Sequence, residues 1–502
     1  MKQAYNELIR RCKEATVLHS CADVLGWDER TYMPPKGSAH RAEQMALLAR
    51  LCHEMATAPV IGELLAEVER SPMVKDPESI EAANVREIRR SYNRAVKLPQ
   101  ALVEELARVT TRAQQVWGQT RKDNEFSAFL PWLEKIVHLK REEAEAVGYD
   151  GGVPYDALLD EYEPGATTAE VTRVFAELRE QLVPLVAAIA ASGKRPHHDI
   201  LEREYPVERQ KEFGQFAAAA IGFSFDAGRL DTTTHPFCSG LGPGDCRITT
   251  RYNPHHFNES FFGILHEAGH GLYEQGLDAD HFGTPAGSFA SLGIHESQSR
   301  LWENQVGRGH PFWEHFFPKA QQTFPAALDD VSLDHFVFAI NDVRPSYIRV
   351  EADEATYNLH ILLRFELEQA LVAGDLKPAD VPGAWNEKFE KSFGLKVPDN
   401  ARGCLQDIHW SGGGIGYFPT YTLGNLYAAQ LMTQARKDLG DLDGSFRRGE
   451  FAGLKTWLNE KVHRPGRRYP AGELCRRVTG EPLRPEPLVG YLRQKYAPLY
   501  GI

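Results

Sequence analysis

Two histidines and a glutamate in the segment FFGILHEAGHGLYEQG have the types and spacing to bind and use a metal ion. His266 and His270 lie four residues apart, which brings both imidazoles to one face of an α-helix. Glu267 stands one step round the helix, where its carboxylate can act as a general base beside a metal-bound water. This HExxH pattern predicts a hydrolytic zinc site.

A hydrolytic zinc ion usually takes three protein ligands, so another segment must supply the third. Glu296, in SLGIHESQSRLWEN, is the best candidate. The spacing lets the first helix end around Gly276, a loop turn at residues 283–287, and a second helix run back alongside. His295 is the alternative ligand, although two histidines and a glutamate are the commoner peptidase set. One Zn²⁺ per chain is expected, and Co²⁺ or Mn²⁺ also suits these ligands.

Helices must form most of the frame that positions these residues. Apolar residues recur at three- and four-residue steps through most of the first 230 residues, and again over 254–305 and 330–375. Between residues 230 and 252, GLGPGD indicates a loop and RITTRY an extended strand, so a small sheet is expected there. The glycine-rich segment 411–419, SGGGIGYFP, predicts an adaptable loop.

Composition excludes several classes of function. The 502 residues are 42 % hydrophobic, enough to fill a substantial core, and no repeat or linker divides them into independent domains. Lysine and arginine number 57 against 69 aspartates and glutamates, so no basic field favours nucleic acid. Neither a signal peptide nor a membrane anchor is expected. Seven dispersed cysteines without a CxxC pair suit reduced thiols in a cytoplasmic protein.

The sequence resembles the zinc metallocarboxypeptidases of the carboxypeptidase Taq type, which are related in fold to angiotensin-converting enzyme and the thimet-type oligopeptidases. The resemblance spans nearly the whole chain, with its motifs in the family's order. They are LGWDERTYMPPKG, HPF at 235–237, DCRIT, HEAGH, HESQSR, IRVEAD and GCLQDIHW.

This resemblance implies a mostly α-helical domain over residues 1–502, with two lobes around a deep groove that has the metal at its floor. It also implies a few short strands near the metal and a homodimer. The metal would lie on His266, His270 and Glu296, with Glu267 as the base. The implied activity is broad release of C-terminal amino acids from peptides that carry a free carboxylate.

The resemblance also assigns groups that would stabilise the transition state. His409 and Tyr421 would donate to the carbonyl oxygen on which negative charge develops. They flank the glycine-rich loop, which could close over a substrate. Tyr417 is a further candidate for substrate contact, with packing beside Phe418 as its alternative role.

An exopeptidase that acts at the C-terminus must hold a free carboxylate, and arginine does so bidentately. Arg349 of IRVEAD is the residue that the resemblance indicates, although it could instead pair with Asp353 along a helix. Arg247 of DCRIT is the competitor, because its strand could bind the substrate backbone at an edge. His235, held extended by the following proline, could face the groove as a substrate-binding residue or cap a turn.

Two other functions fit parts of this pattern. An endo-acting zinc oligopeptidase would use the same metal chemistry without a carboxylate clamp. A non-catalytic helical scaffold would carry HEAGH as a vestige and bind no stoichiometric metal.

Overall fold

The computed structural model describes all residues, Met1–Ile502, and helices form most of it. No helix has both the length and the apolar composition needed to cross a membrane. The twenty-one α-helices are α1 Lys2–Thr31, α2 Ser38–Ala56, α3 Pro59–Val68, α4 Ile80–Lys97, α5 Gln100–Asp123, α6 Phe126–Val147, α7 Pro154–Leu159, α8 Thr168–Ala191, α9 Val207–Ala220, α10 Phe257–Gly276, α11 Leu292–Arg300, α12 His310–Thr323, α13 Pro325–Leu328, α14 Leu333–Ile340, α15 Tyr357–Ala373, α16 Val381–Phe393, α17 Pro419–Leu439, α18 Leu442–Arg447, α19 Ala452–Leu458, α20 Ala471–Thr479 and α21 Glu486–Tyr500.

A small sheet interrupts the helices where the sequence predicts one. Its strands are β1 Gly228–Thr232, β2 Cys238–Gly242 and β3 Asp245–Thr250, in the order β1-β3-β2. β3 pairs with β1 in parallel and with β2 antiparallel, so it is the central strand. The mostly α fold with a few short strands is therefore confirmed.

One large hydrophobic cluster holds the elements together. It contains 101 buried residues, while a separate cluster of seven joins α1, α3 and α4. On one face of α10, Phe257 and Phe261 stack on each other at a centroid distance of 5.2 Å, and Trp313 of α12 packs against Phe261. This aromatic layer fixes one side of the helix that carries HEAGH.

Helix α11 lies close to both α10 and α17, because a glycine faces it from each side. A Cβ on Gly269 of α10 would come within 2.5 Å of the Gln298 carbonyl oxygen. A Cβ on Gly424 of α17 would come within 2.6 Å of the Glu296 side chain. Both distances are too short for a real contact, so only glycine permits this approach.

The helix pair around the predicted metal site forms as expected, with one addition. α10 ends at Gly276, and α11 carries Glu296. After Arg300 the chain continues as a π-helix over Leu301–Val306, a wider turn that often marks functional sites. This segment places Glu303 beside His266.

The predicted helical spacing over 330–375 is wrong in its middle part. α14 ends at Ile340 and α15 begins at Tyr357, and between them only Arg349–Glu351 forms a short 3₁₀ turn. Pro345 has no backbone N–H and disfavours helical geometry at the residue before it. Arg349 therefore lies on a connecting segment and not on an α-helix.

We expect Gly424→Ala to destabilise the protein by about 1–3 kcal/mol, because its methyl group overlaps Glu296 and forces α11 and α17 apart. Thermal unfolding of the metal-free protein measures this change. Gly118→Ala in α5 is the matched control, since a Cβ there meets nothing within 4 Å. The control should be neutral or slightly stabilising, and equal destabilisation by both variants would contradict the close-packing argument.

Candidate functional site

A single groove of about 1950 Å³ gathers most of the residues that the sequence singles out. Ten residues are candidates for metal binding, catalysis or substrate binding, and nine of them line this groove. The nine are His235, His266, Glu267, His270, Glu296, Arg349, His409, Tyr417 and Tyr421. The tenth, Arg247, does not.

Three of these side chains form a cluster that fits a metal ion. One ligand atom from each of His266, His270 and Glu296 lies within 4.8 Å of the other two. Glu296 Oε2 is 3.7 Å from His266 Nε2 and 3.4 Å from His270 Nε2. Tetrahedral zinc with bonds of about 2.0–2.1 Å separates its ligand atoms by roughly 3.3–3.4 Å. The donor set and the spacing therefore suit zinc.

The Glu296 carboxylate is oriented by an arginine one turn along α11. Arg300 Nε donates to Glu296 Oε1 at 2.7 Å, which leaves Oε2 directed at the two imidazoles. Although burial opposes ionisation, Arg300 and the two histidines hold the pKa of Glu296 well below its ordinary value. The carboxylate is therefore charged, as a metal ligand must be.

The two histidines have different surroundings. His266 Nδ1 lies 2.8 Å from Glu303 Oε2, a carboxylate that the sequence interpretation missed. Burial lowers the pKa of His270 to about 3, with the neighbouring His295 as the second cause. His270 is therefore neutral at physiological pH, the form that binds metal.

Glu267 is 6 % exposed and lines the groove beside the cluster without belonging to it. Burial raises the pKa of Glu267 to about 7, and the Glu296 and Glu303 charges contribute to the rise. A bound cation would favour the charged carboxylate. The position and basicity of this group suit proton transfer.

Arg349 is buried and held by groups distant in sequence. Its Nε and one terminal nitrogen donate to Asp407 Oδ1 at 3.0 and 2.8 Å, and the other terminal nitrogen donates to the Tyr357 hydroxyl at 2.7 Å. Arg364 binds the second oxygen of Asp407. Asp353, the partner expected on a helix, instead accepts backbone bonds from Ala355 and Thr356.

His409 and the two tyrosines form one aromatic group. His409 Nε2 lies 3.1 Å from the Tyr421 hydroxyl, and the Tyr417 ring is 5.5 Å from that of Tyr421. Burial lowers the pKa of His409 to about 4, and Arg349 contributes to that shift against the opposing charge of Asp407. His409 is therefore a neutral imidazole, able to donate one hydrogen bond.

The expectation that Arg247 binds substrate at a strand edge does not fit the structure. β3 lies between β1 and β2 and has no free edge, whereas β2 is an edge strand that lines the groove. The Arg247 guanidinium pairs with Asp245 and lies 4.2 Å from the centroid of the Trp27 ring. Arg247 therefore joins the sheet to Trp27 of α1 by a cation–π contact.

Two buried glutamates hold the elements that carry the site, and nothing in the sequence marked them. Glu163 accepts from Ser291 Oγ and Gly293 N, both at 2.9 Å, at the N-terminus of α11. Glu368 accepts from Trp410 Nε1 at 2.8 Å, just before the glycine-rich loop, and from Gly416 N at 3.0 Å within it. Glu163 thereby fixes the start of α11, and Glu368 fixes the glycine-rich loop; both segments are next to residues that line the groove.

Comparison with known proteins gives a consistent result. The chain matches the family model for carboxypeptidase Taq (M32) metallopeptidases over residues 7–496. It is 51 % identical to thermostable carboxypeptidase 1 of Thermus thermophilus, over 99 % of each chain, and 40 % identical to carboxypeptidase 1 of Bacillus subtilis, over 95 % of each. The crystal structure of an M32 carboxypeptidase from Deinococcus radiodurans matches with a TM-score of 0.96 and 41 % identity over 100 % of both chains.

We expect Glu163→Gln to change the pH dependence of stability. Burial raises the pKa of folded Glu163 from 4.5 to about 7, so the folded state binds the proton more tightly than the unfolded state. This contribution is fully present below pH 4.5 and is lost as the pH rises to about 7. A shift of this size corresponds to roughly 3 kcal/mol.

Glutamine stays neutral, so the variant does not lose this contribution. The difference in free energy of unfolding, variant minus wild type, should therefore increase as the pH rises from 5 to 8. Thermal unfolding across that range tests this expectation. Parallel stability curves for the two proteins would contradict it.

Proposed function

The chain belongs to the carboxypeptidase Taq (M32) family of metallopeptidases, and we propose that it removes C-terminal residues from peptides with one zinc ion held by His266, His270 and Glu296. It is a metallocarboxypeptidase and therefore a peptide hydrolase. The observation that carries the proposed site is the cluster of these three ligand atoms, within 4.8 Å of one another, in the groove.

Glu267 is the proposed proton carrier. Zinc, when bound, polarises the scissile carbonyl and lowers the pKa of water. The Glu267 carboxylate accepts a proton from the attacking water and returns it to the leaving amine. Its burial supports this role, since a desolvated carboxylate is a stronger base than an exposed one.

His409 and Tyr421 are the proposed donors to the carbonyl oxygen as it gains negative charge. Their polar atoms lie 3.1 Å apart, so both can approach one oxygen. The nearby Tyr417 contributes to the same wall. His235 also lines the groove, where partial burial and the charge of Arg251 lower its pKa and favour a neutral ring that contacts substrate.

Arg349 is the proposed binding group for the substrate carboxylate. Its bonds to Asp407 and Tyr357 use three of the five N–H groups of the guanidinium. Two N–H groups remain for a carboxylate, and the two fixed partners hold the guanidinium in place before substrate arrives. Asp407 is shared with Arg364, which leaves net positive charge in this part of the groove.

The remaining features of the proposal concern the whole protein. One domain with two lobes over residues 1–502 is proposed. The main hydrophobic cluster reaches from Leu102 to Tyr500, and Arg94 of α4 pairs with Glu143 of α6, which ties the N-terminal helices to that cluster. Seven free cysteines suit a cytoplasmic location. A homodimer is also proposed, and sedimentation analysis tests it.

An unblocked peptide and its C-terminally amidated twin test the proposed function. We expect stepwise loss of C-terminal residues from the free peptide alone, since Arg349 needs a carboxylate, and a chelator should abolish the reaction. Mass spectrometry over time measures the products. Internal cleavage of both peptides would instead indicate an oligopeptidase, and no cleavage with added zinc or cobalt would indicate a scaffold.

In the same assay, Arg349→Lys should lower kcat/KM for the free peptide by at least tenfold, because an ammonium group cannot bind a carboxylate bidentately. Arg247→Lys is the matched control, since Arg247 does not line the groove. Equal losses in the two variants would contradict the assignment of Arg349.

Glu267→Gln should retain the metal and lose turnover by about 10²–10⁴-fold, because the amide cannot accept the proton. Steady-state kinetics and elemental analysis of the same sample separate these two effects. Near-normal turnover with metal bound would refute the role of Glu267.

A further inference from the structure

His295 has no role in the proposed function, although it contacts His270, one of the three proposed zinc ligands. His295 Nδ1 lies 2.5 Å from His270 Nδ1, and His295 Nε2 lies 2.7 Å from Glu274 Oε1. Glu274 is one turn beyond His270 on α10, whereas His295 precedes Glu296 on α11. The three side chains thus form a continuous hydrogen-bonded chain that joins the two helices.

The geometry points to a relay in which Glu274 acts through His295 to orient His270 and strengthen it as a metal ligand. This inference rests on the proposed function, since it takes His270 Nε2 as the atom that binds zinc. That nitrogen is the one that faces Glu296, at 3.4 Å. A neutral imidazole that binds metal through Nε2 carries its proton on Nδ1.

The proton positions along the chain follow from this assignment. His270 Nδ1–H donates to His295 Nδ1, which must therefore be the unprotonated nitrogen of a neutral ring. The proton of His295 is then on Nε2, where it donates to the Glu274 carboxylate. Each of the two contacts then pairs one donor with one acceptor, and the negative charge of Glu274 at the end of the chain polarises both rings.

The surroundings hold this chain in place. His295 lies 4.9 Å from Phe289 and 5.3 Å from Tyr273, measured between ring centroids. A Cβ on Gly240 of β2 would come within 2.2 Å of Glu274 Oε2, so this strand residue leaves the space that the carboxylate occupies. Helices α10 and α11 therefore supply the side chains of the relay, and the edge strand β2 leaves room for the Glu274 carboxylate.

His295 and Glu296 are adjacent on α11 but have different roles at the proposed zinc site. Glu296 is one of the three proposed ligands, whereas His295 contacts Nδ1 of another, His270. One turn of α11 thus supplies both a ligand and the support for another ligand. His266 needs no such support from α11, because Glu303 contacts its Nδ1 directly.

A double-mutant cycle on zinc affinity tests the relay. Glu274→Gln, His295→Ala and the double variant are prepared without metal, and their zinc dissociation constants are measured by competition with a chromogenic chelator at one pH. We expect each single substitution to weaken zinc binding by about 10–100-fold. The double variant should bind no more weakly than His295→Ala, because Glu274 acts only through that ring.

Glu351→Gln is the control, since it removes an exposed carboxylate that lines the groove and leaves His295 untouched. Thermal unfolding in excess chelator verifies that the metal-free variants are folded. Glu274→Gln has nearly the shape of wild type and keeps the test informative even where His295→Ala does not fold.

Two outcomes would overturn the relay: zinc affinity within twofold of wild type in Glu274→Gln, or a double variant whose loss equals the product of the single losses. Failure of the proposed zinc site gives a different result, because the wild-type chain would then bind no stoichiometric zinc. Failure of the carboxypeptidase activity alone would appear in the amidated-peptide assay and leave the zinc affinities of the variants unchanged.

Discussion

The close approach of α11 to α10 and α17 is the contact on which the site depends. Gly269 and Gly424 face α11 from opposite sides, and any side chain there would overlap backbone or Glu296 atoms. This spacing brings a carboxylate from one helix to within 4 Å of two imidazoles on another. Glu163 holds the start of α11 from a third direction. Small changes in helix packing would therefore separate the ligand atoms.

Carboxylates in the cluster and beside Arg349 are each paired with largely buried arginines. Glu296 and Glu303 face Arg300, and Asp407 is shared between Arg349 and Arg364. Burying a carboxylate is costly unless a charged or hydrogen-bonding partner is present. Such pairing keeps each group ionised and correctly oriented before metal or substrate arrives, which reduces the reorganisation that binding requires.

Sequence patterns were reliable where the chemistry is local and weaker where it depends on distant segments. The HExxH helix and the nearby sheet follow from spacing and residue type, and the structure has both. The partner of Arg349 was not predictable, because Asp407 is 58 residues away and the helix expected around Arg349 does not form. Arg247 was placed at a strand edge, yet its strand proves to be central.

By itself, the sequence determined the helical character of the chain, the HExxH spacing with its candidate base, and the candidate third ligand, because each follows from short-range periodicity or from motif spacing. The tertiary structure alone decided which oxygen of Glu296 faces the imidazoles, that Glu303 and His295 contact the two histidines, and that Arg247 lies outside the groove. Such contacts depend on how close helices pack and which strand lies at the centre of a sheet. Long-range packing sets both, and no local pattern in the chain encodes them.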